Sequence, residues 1–182
     1  MRWDFEEEYG SAEFAAYEWT YWHETGEPLD DRPDKILVPL DRSLRGANRV
    51  LEIAEGLLRP GGEGILLHVI PPASPKVGGL GFIPSSELEK HERSRAAAYL
   101  GYFAQRLNSD RCRWRGEVVV AKSVAQGIAE VASKENVDLI AMYTHSRKGL
   151  AKWFKGSVAE RVRQYASTEV RIVRAAEFAP AQ

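Results

Sequence analysis

The chain has little of several features that would define its chemistry at once. Its 182 residues include a single cysteine, Cys112, so no disulfide can form within the chain and a reduced, cytoplasmic setting is expected. The sequence has no apolar run long enough to span a membrane, and its first ten residues lack the basic start and apolar stretch of a secretion signal. We therefore expect a cytoplasmic protein without a membrane partner.

Groups that carry out catalysis are also scarce. The four histidines do not share a metal-ligand spacing. The sequence predicts no grouping of Ser, His and an acid, and no neighbouring pair of carboxylates, at one place in the fold. These absences predict that the protein holds no metal of its own and is not an enzyme.

Charge is distributed unevenly along the chain, although the formal net charge is only −1. Residues 1–34 contain eleven acidic and two basic residues, a net charge of −9, and subtracting this from −1 leaves +8 for the remainder. The first twenty-two residues also contain eight aromatic residues, which is not typical of disordered acidic segments. We predict an acidic aromatic arm over residues 1–34, a domain over 35–176 and a tail over 177–182. Opposite charges favour docking of the arm on its own domain or on a second copy.

Strand and helix patterns alternate through the predicted domain. Five short apolar runs are predicted as strands: residues 35–40, 65–70, 117–121, 139–143 and 170–173. Helical apolar spacing separates them, and we interpret the glycine-containing loop over 71–85 as a mobile flap. Strands that are apolar throughout are covered on both faces, and right-handed crossovers make them parallel. The sequence therefore predicts a doubly wound, Rossmann-like α/β fold with a five-stranded parallel sheet flanked by helices.

Three helix starts have the spacing of a capping box, in which a Ser and a Glu or Gln three residues later satisfy each other's backbone N–H groups. The pairs are Ser86 with Glu89, Ser123 with Gln126, and Ser157 with Glu160. Gly156 and Ser157 also follow a cation-rich loop at a helix start, where unpaired N–H groups and the helix dipole suit an anion. A phosphate site and an ordinary cap both remain possible there.

The segments KILVPLD, ILLHVI, DLIAMYTHS, GSVAERV and EVRIVR, in this order over residues 35–175, resemble the universal stress protein family. The nucleotide loop of that family is written as Gly, two residues, Gly, nine residues, then Gly followed by Ser or Thr. Tyr143 and Ser146 stand at the first two glycine positions, whereas Gly156 and Ser157 match the closing pair. The resemblance implies the fold predicted above, a homodimer, and binding of ATP or AMP, with Mg²⁺ if the ligand is a triphosphate. Larger residues where the backbone must approach a ligand predict weak or absent binding.

The resemblance also implies a nucleotide site at the carboxyl ends of the strands. Asp41 would accept hydrogen bonds from the ribose or the adenine amine, and the backbone of Val69 would contact adenine. The other expected contacts are Pro39, Met142, Tyr143, His145, Ser146, Gly156, Ser157 and Val158, with weaker phosphate attraction from Arg147, Lys148 and Lys155. Helix capping by Asp41 or Ser43, and a core role for Val69, are the alternatives.

These observations predict a non-catalytic, dimeric stress-response module with weak or absent nucleotide binding. A competent ATP-binding protein, with the Tyr143 ring stacked on the base, is the alternative. The last strand is expected to form a sheet edge and the dimer contact through Val170, Arg171, Ile172 and Val173. Nucleic-acid binding is a further alternative, because Arg111-Cys-Arg-Trp-Arg115 combines cations with an aromatic ring that can stack on a base. An acidic arm would compete with phosphates, which argues against it.

Overall fold

The computed structural model describes residues 31–41, 44–78, 81–144 and 158–174, and the predictions made for the acidic arm lie outside these ranges. Internal contacts divide the chain into Met1–Arg32 and Pro33–Gln182, and all elements given below belong to the second unit. Across the described ranges, no helix has both the length and the apolarity that a membrane span requires.

Strands and helices alternate through the second unit. The elements are β1 (Lys35–Pro39), α1 (Leu44–Leu57), β2 (Glu63–Ile70), β3 (Lys76–Gly78), β4 (Gly81–Ile83), α2 (Ser85–Leu107), β5 (Arg113–Val120), α3 (Val124–Glu135), β6 (Leu139–Thr144), α4 (Val158–Tyr165) and β7 (Glu169–Arg174). The main sheet has the order β5-β2-β1-β6-β7, and all four of its strand pairings are parallel. This confirms the predicted doubly wound, five-stranded parallel sheet.

Each face of the sheet has its own apolar core. On one face, α1 and α2 pack against strand residues that include Ile36 and Leu66. On the other face, α3 and α4 pack against strand residues that include Leu37 and Ile65. Because successive strand residues point to opposite faces, a strand covered on both faces must be apolar at nearly every position. Burial of each such side chain contributes about 1.5–3 kcal/mol, which makes the two cores the main source of stability.

The helix faces predicted from apolar spacing are largely the buried ones. In α2, Leu100, Phe103 and Ala104 are buried, as expected. In α3, Ile128, Val131 and Ala132 are buried, whereas Val124, the first residue of this helix, is 39% exposed.

One predicted helix cap is confirmed and another is wrong. The Ser123 hydroxyl accepts a hydrogen bond from the Gln126 N–H at 3.4 Å at the start of α3. In contrast, α2 begins at Ser85 after Pro84, so Ser86 lies inside the first turn and no side chain caps this helix. Proline before the first turn fixes the entry of the chain without a side-chain acceptor. The third predicted capping residue, Ser157, lies outside the described ranges.

The segment over residues 71–85, predicted to be a loop, contains two short strands. β3 and β4 form an antiparallel pair in which Val77 lies opposite Phe82 and Gly78 opposite Gly81. Val and Phe favour extended structure, while glycine tolerates the backbone angles of a tight reversal. These local preferences favour a short hairpin between β2 and α2.

Trp114 belongs to a strand rather than to an exposed loop. β5 begins at Arg113 instead of at the predicted Glu117, and Trp114 is 4% exposed. Its ring covers Gly64 of β2 so closely that a Cβ on Gly64 would lie less than 3.0 Å from three ring atoms. A buried ring cannot stack on a nucleic-acid base, and this basis of the nucleic-acid alternative is therefore wrong.

A second feature that fixes β5 is an ionic cluster around Arg115. Its Nε lies 2.7 Å from Glu63 Oε1, one terminal nitrogen lies 3.0 Å from Glu117 Oε2, and the other pairs with Glu135. Burial opposes the charge of Arg115, but its hydrogen bonds to Glu63 and Glu117 outweigh this effect and raise its pKa. The hydrogen bond from Arg115 also holds the pKa of Glu63 below its ordinary value of 4.5. The cluster joins β2, β5 and α3.

Candidate functional site

The strand order reverses between β1 and β6. From β1 the sheet continues through β2 to β5 on one side, and through β6 to β7 on the other. β1 pairs with β2 over five residues but with β6 over only two, Ile36 with Leu139 and Leu37 with Ile140. In doubly wound sheets the ligand crevice lies beyond the carboxyl ends of the strands at such a reversal. The region beyond the carboxyl ends of β1, β2 and β6 is therefore the candidate crevice.

The sheet brings five of the predicted nucleotide contacts to this edge. Pro39 ends β1 and is half-buried, and Asp41 follows it and is exposed. Val69 lies near the end of β2, and Met142 and Tyr143 lie near the end of β6.

A sixth predicted contact, Val158, is the first residue of α4 and is 44% exposed. The remaining predicted contacts are outside the described ranges: His145, Ser146, Arg147, Lys148, Lys155, Gly156 and Ser157. Their proposed roles at a phosphate therefore stay predictions from the sequence.

The hydrogen bonds between β1 and β2 end abruptly at the crevice. The Leu40 N–H donates to Leu67 O at 2.8 Å, so Leu67 directs its backbone groups toward β1. A regular parallel ladder would continue with a bond from the Val69 N–H to Leu40 O. That carbonyl instead lies 2.6 Å from His68 Nδ1. Because a carbonyl only accepts, Nδ1 is the protonated ring nitrogen.

Val69 consequently directs its backbone N–H and C=O toward the crevice. Alternate strand residues point their backbone groups to the same neighbour, and Val69 lies two residues after Leu67. Neither backbone group of Val69 has a partner within the described part of the chain. Its side chain is 9% exposed and faces Gly127 of α3. The side chain of Val69 therefore belongs to the core while its backbone is available to a ligand. The two alternatives for this residue are compatible.

The β6 side of the crevice has a bulky residue where the family pattern has glycine. Tyr143 is half-buried and packs against the core formed with α1 and α2, whereas Met142 is 6% exposed and packs against the core formed with α3 and α4. In the sheet, Tyr143 lies opposite Val173 of β7. The phenol ring thus occupies space beside the end of β6 that a glycine would leave open.

Two further findings limit where else chemistry could take place. In the described ranges, no group of three or more His, Cys, Asp or Glu side chains is placed to bind a metal. A shallow groove also runs between α3 and α4, and it shares no residue with the crevice; it is lined by Gln126, Ala129, Glu130, Ser133, Lys134 and Tyr165. The crevice therefore remains the candidate site.

His68 is the functional candidate that the sequence did not reveal. Its position within an apolar strand predicts a structural histidine at most. The relevant signal was the adjacency of His68 to Val69, but the bond to Leu40 depends on the register between β1 and β2, which the sequence alone does not specify.

A parallel α/β sheet with a crevice at its strand-order reversal places the protein in the doubly wound class. The sequence profile described as the universal stress protein family matches residues 33–174. The chain therefore belongs to the universal stress protein family, which confirms the resemblance inferred from its strand and loop segments.

Solved structures agree with this assignment. The hypothetical protein MJ0577, the subject of a structure-based assignment of biochemical function, is 27% identical, with a TM-score of 0.61 over 80% of this chain and 98% of that one. Universal stress protein UspA from Lactobacillus plantarum is 20% identical, with a TM-score of 0.59 over 79% and 99% of the chains. A universal stress protein in complex with cAMP is 17% identical, with a TM-score of 0.57 over 80% and 100%. The latter two similarities concern the fold alone. No curated protein matches the chain in sequence.

Proposed function

We propose that the protein is a non-catalytic, dimeric regulatory module of the cytoplasm that binds adenine nucleotides weakly or not at all. The observation that carries the nucleotide part of this proposal is the position of Tyr143. Its ring is half-buried at the end of β6, beside the strand-order reversal. A nucleotide that approaches the β6 backbone there would have to displace the ring from its apolar contacts.

The cost of this displacement explains the expected weakness of binding. Exposing a large buried side chain loses about 1.5–3 kcal/mol, and a half-buried ring loses part of this amount. Each 1.4 kcal/mol lowers affinity tenfold. A loss of this size turns a micromolar site into one that is occupied only at much higher nucleotide concentrations.

One observation favours the alternative of a competent nucleotide site. Within the described ranges the N–H and C=O of Val69 have no partner, and together they form a donor and acceptor pair that suits the edge of an adenine ring. A structural neighbour of the same fold was solved in complex with cAMP. Adenine recognition is thus retained in this alternative, with the Tyr143 ring stacked on the base.

A titration distinguishes the two. Freshly purified protein is denatured to identify any released nucleotide, and ATP, ADP and AMP with Mg²⁺ are then titrated calorimetrically. We expect no retained nucleotide and affinities of about 1 mM or weaker for the wild type. The double variant Tyr143→Gly/Ser146→Gly should bind at least about tenfold more tightly, because it restores small residues where the backbone must approach the ligand.

The matched control is Tyr102→Ala, which removes a tyrosine that is 54% exposed on α2. It should leave affinity unchanged. Micromolar binding by the wild type that is lost in the double variant would overturn the proposal and establish the competent site.

The dimer part of the proposal is supported by the two sheet edges. At β5, the Asn108 side chain accepts from the Trp114 N–H at 2.7 Å and donates to Trp114 O at 3.0 Å, and Arg93 donates to Val118 O at 2.9 Å. At β7, the only side-chain contact to the open backbone edge within the described ranges is from Arg163 to Val170 O, at 3.3 Å. Side chains from α2 and from the residue that follows it therefore close β5, whereas β7 is available to pair with a second copy.

Sedimentation measurements test this edge. Ile172 directs its backbone groups away from β6, because it lies two residues after Val170, whose carbonyl meets Arg163 at the open edge. Ile172→Pro removes an N–H that a second copy would need while leaving the pairing with β6 intact. We expect a dimeric wild type and a folded, monomeric variant. A dimer that persists in Ile172→Pro would contradict pairing through β7.

A further inference from the structure

We propose that His68 is a positioning residue that keeps the Val69 N–H available to a ligand in the crevice. The imidazole binds Leu40 O, the acceptor that the Val69 N–H would use if the β1–β2 ladder continued. This inference rests on the proposed function only for the nature of the ligand. The His68 ring and the Val69 N–H compete for the Leu40 carbonyl whether or not a ligand is bound.

The competition follows from the geometry at Leu40: its carbonyl has two lone pairs, but the described contacts include a bond from His68 and none from the Val69 N–H. Leu40 is 6% exposed, and a buried carbonyl without a donor costs about 1–3 kcal/mol. If the His68 donor is removed, the N–H that a regular ladder would supply to this carbonyl is that of Val69. A bond between them would extend the ladder by one step and withdraw the Val69 N–H from the crevice. His68 therefore acts on a ligand through the backbone of its neighbour, without touching the ligand itself.

The ring also fixes the end of β1. His68 is half-buried, so the bond at 2.6 Å is shielded from competing water. It holds the carbonyl of Leu40, the residue that immediately precedes Asp41. The position of the Asp41 backbone and the availability of the Val69 N–H are thus set by the same contact.

Two substitutions separate the hydrogen bond from the shape of the side chain. His68→Phe keeps a ring but has no donor. His68→Asn places an amide N–H on the atom that corresponds to Nδ1, one bond from Cγ, and so keeps the donor. Thermal unfolding first checks that both variants fold.

Hydrogen exchange at the Val69 amide, measured by NMR without nucleotide, is the decisive readout. We expect the wild-type amide to exchange at least about tenfold faster than that of Val38, which is fully buried within β1. In His68→Phe the Val69 amide should slow by about tenfold or more, because it becomes bonded to Leu40, and in His68→Asn it should remain fast. A Val69 amide that is already protected in the wild type, or unaffected in His68→Phe, would overturn the inference.

Nucleotide affinity provides an independent second readout. AMP is titrated against each His68 variant in the wild type and in the Tyr143→Gly/Ser146→Gly background. Where the parent binds AMP, His68→Phe should weaken binding about tenfold and His68→Asn should leave it unchanged. Equal losses in both variants would count against the positioning role. If no parent binds AMP, the exchange measurement still decides the role of His68, so failure of the nucleotide site and failure of this inference are distinguishable.

Discussion

The contact between Gly64 and Trp114 allows a quantitative test of the packing that fixes β5. In Gly64→Ala, the new Cβ would lie less than 3.0 Å from three ring atoms of Trp114. The ring cannot move away freely, because Asn108 holds the Trp114 backbone through two hydrogen bonds of 2.7 and 3.0 Å. Overpacking of this kind costs about 1–3 kcal/mol, and the rigid neighbour places the expected loss near 2–3 kcal/mol.

A double-mutant cycle assigns this loss to the contact. Trp114→Val removes the ring and should itself destabilise the fold by about 3–5 kcal/mol, as large-to-small core substitutions do. In the Trp114→Val background, Gly64→Ala should cost less than about 0.5 kcal/mol, because the new methyl group enters vacated space. Stability is measured by urea unfolding followed by far-UV circular dichroism.

The matched control is Gly56→Ala in α1, where an added Cβ would meet nothing within 4 Å. This substitution should stabilise the protein by up to about 1 kcal/mol, because alanine favours a helix more than glycine does. Strictly additive losses for Gly64→Ala and Trp114→Val would refute the reasoning. So would a Gly64→Ala protein as stable as the wild type.

Two further predictions concern local interactions. Ser123→Ala should lower the free energy of unfolding by about 1 kcal/mol through loss of the bond to the Gln126 N–H, whereas Ser86→Ala, which removes no cap, should change it by less than about 0.5 kcal/mol in the same urea assay. Equal losses would contradict the assignment of the caps. The folded-state pKa of Glu63 lies below its ordinary value of 4.5, so its ionised form stabilises the fold above that value and the contribution is lost as the pH falls through the folded-state pKa. Glu63→Gln should therefore be less stable than the wild type at pH 7, by no more than about 1 kcal/mol for this partly exposed pair, and the gap in urea midpoint should close below pH 4.5. A gap that is independent of pH would refute the role of the charge.

The sequence was sufficient to predict the fold because the apolar patterns that define the strands and helices are local. Apolar runs such as Ile65 to Ile70 predict strands covered on both faces, and their alternation with helices leaves few topologies. The same rule predicted that Asp41, Val69 and Tyr143 lie at one edge of the sheet. The start of β5 was missed because a charged residue such as Arg115 is typical of a loop. Its charge is neutralised in the fold by Glu63 and Glu135, which are distant in sequence.

The candidate site was less predictable for a related reason. The bond between His68 and Leu40 joins residues 28 positions apart and exists only in one register of two strands. The burial of Trp114 likewise depends on a glycine in the neighbouring strand. Sequence patterns report what a segment prefers, whereas these contacts depend on which residues the folded chain brings opposite one another.

The two ends of the sheet differ in how freely their sequence can be changed. The tight contact of Gly64 with Trp114 and the cluster around Arg115 lie toward the amino-terminal ends of β2 and β5, whereas Tyr143 precedes the segment that joins β6 to α4. Changes at the carboxyl end of β6 therefore leave both interactions in place. A glycine-rich graft between Met142 and Val158, which also replaces Tyr143 and Thr144 of β6, is expected to keep the amino-terminal half of the sheet intact and offers a route to a nucleotide-responsive protein.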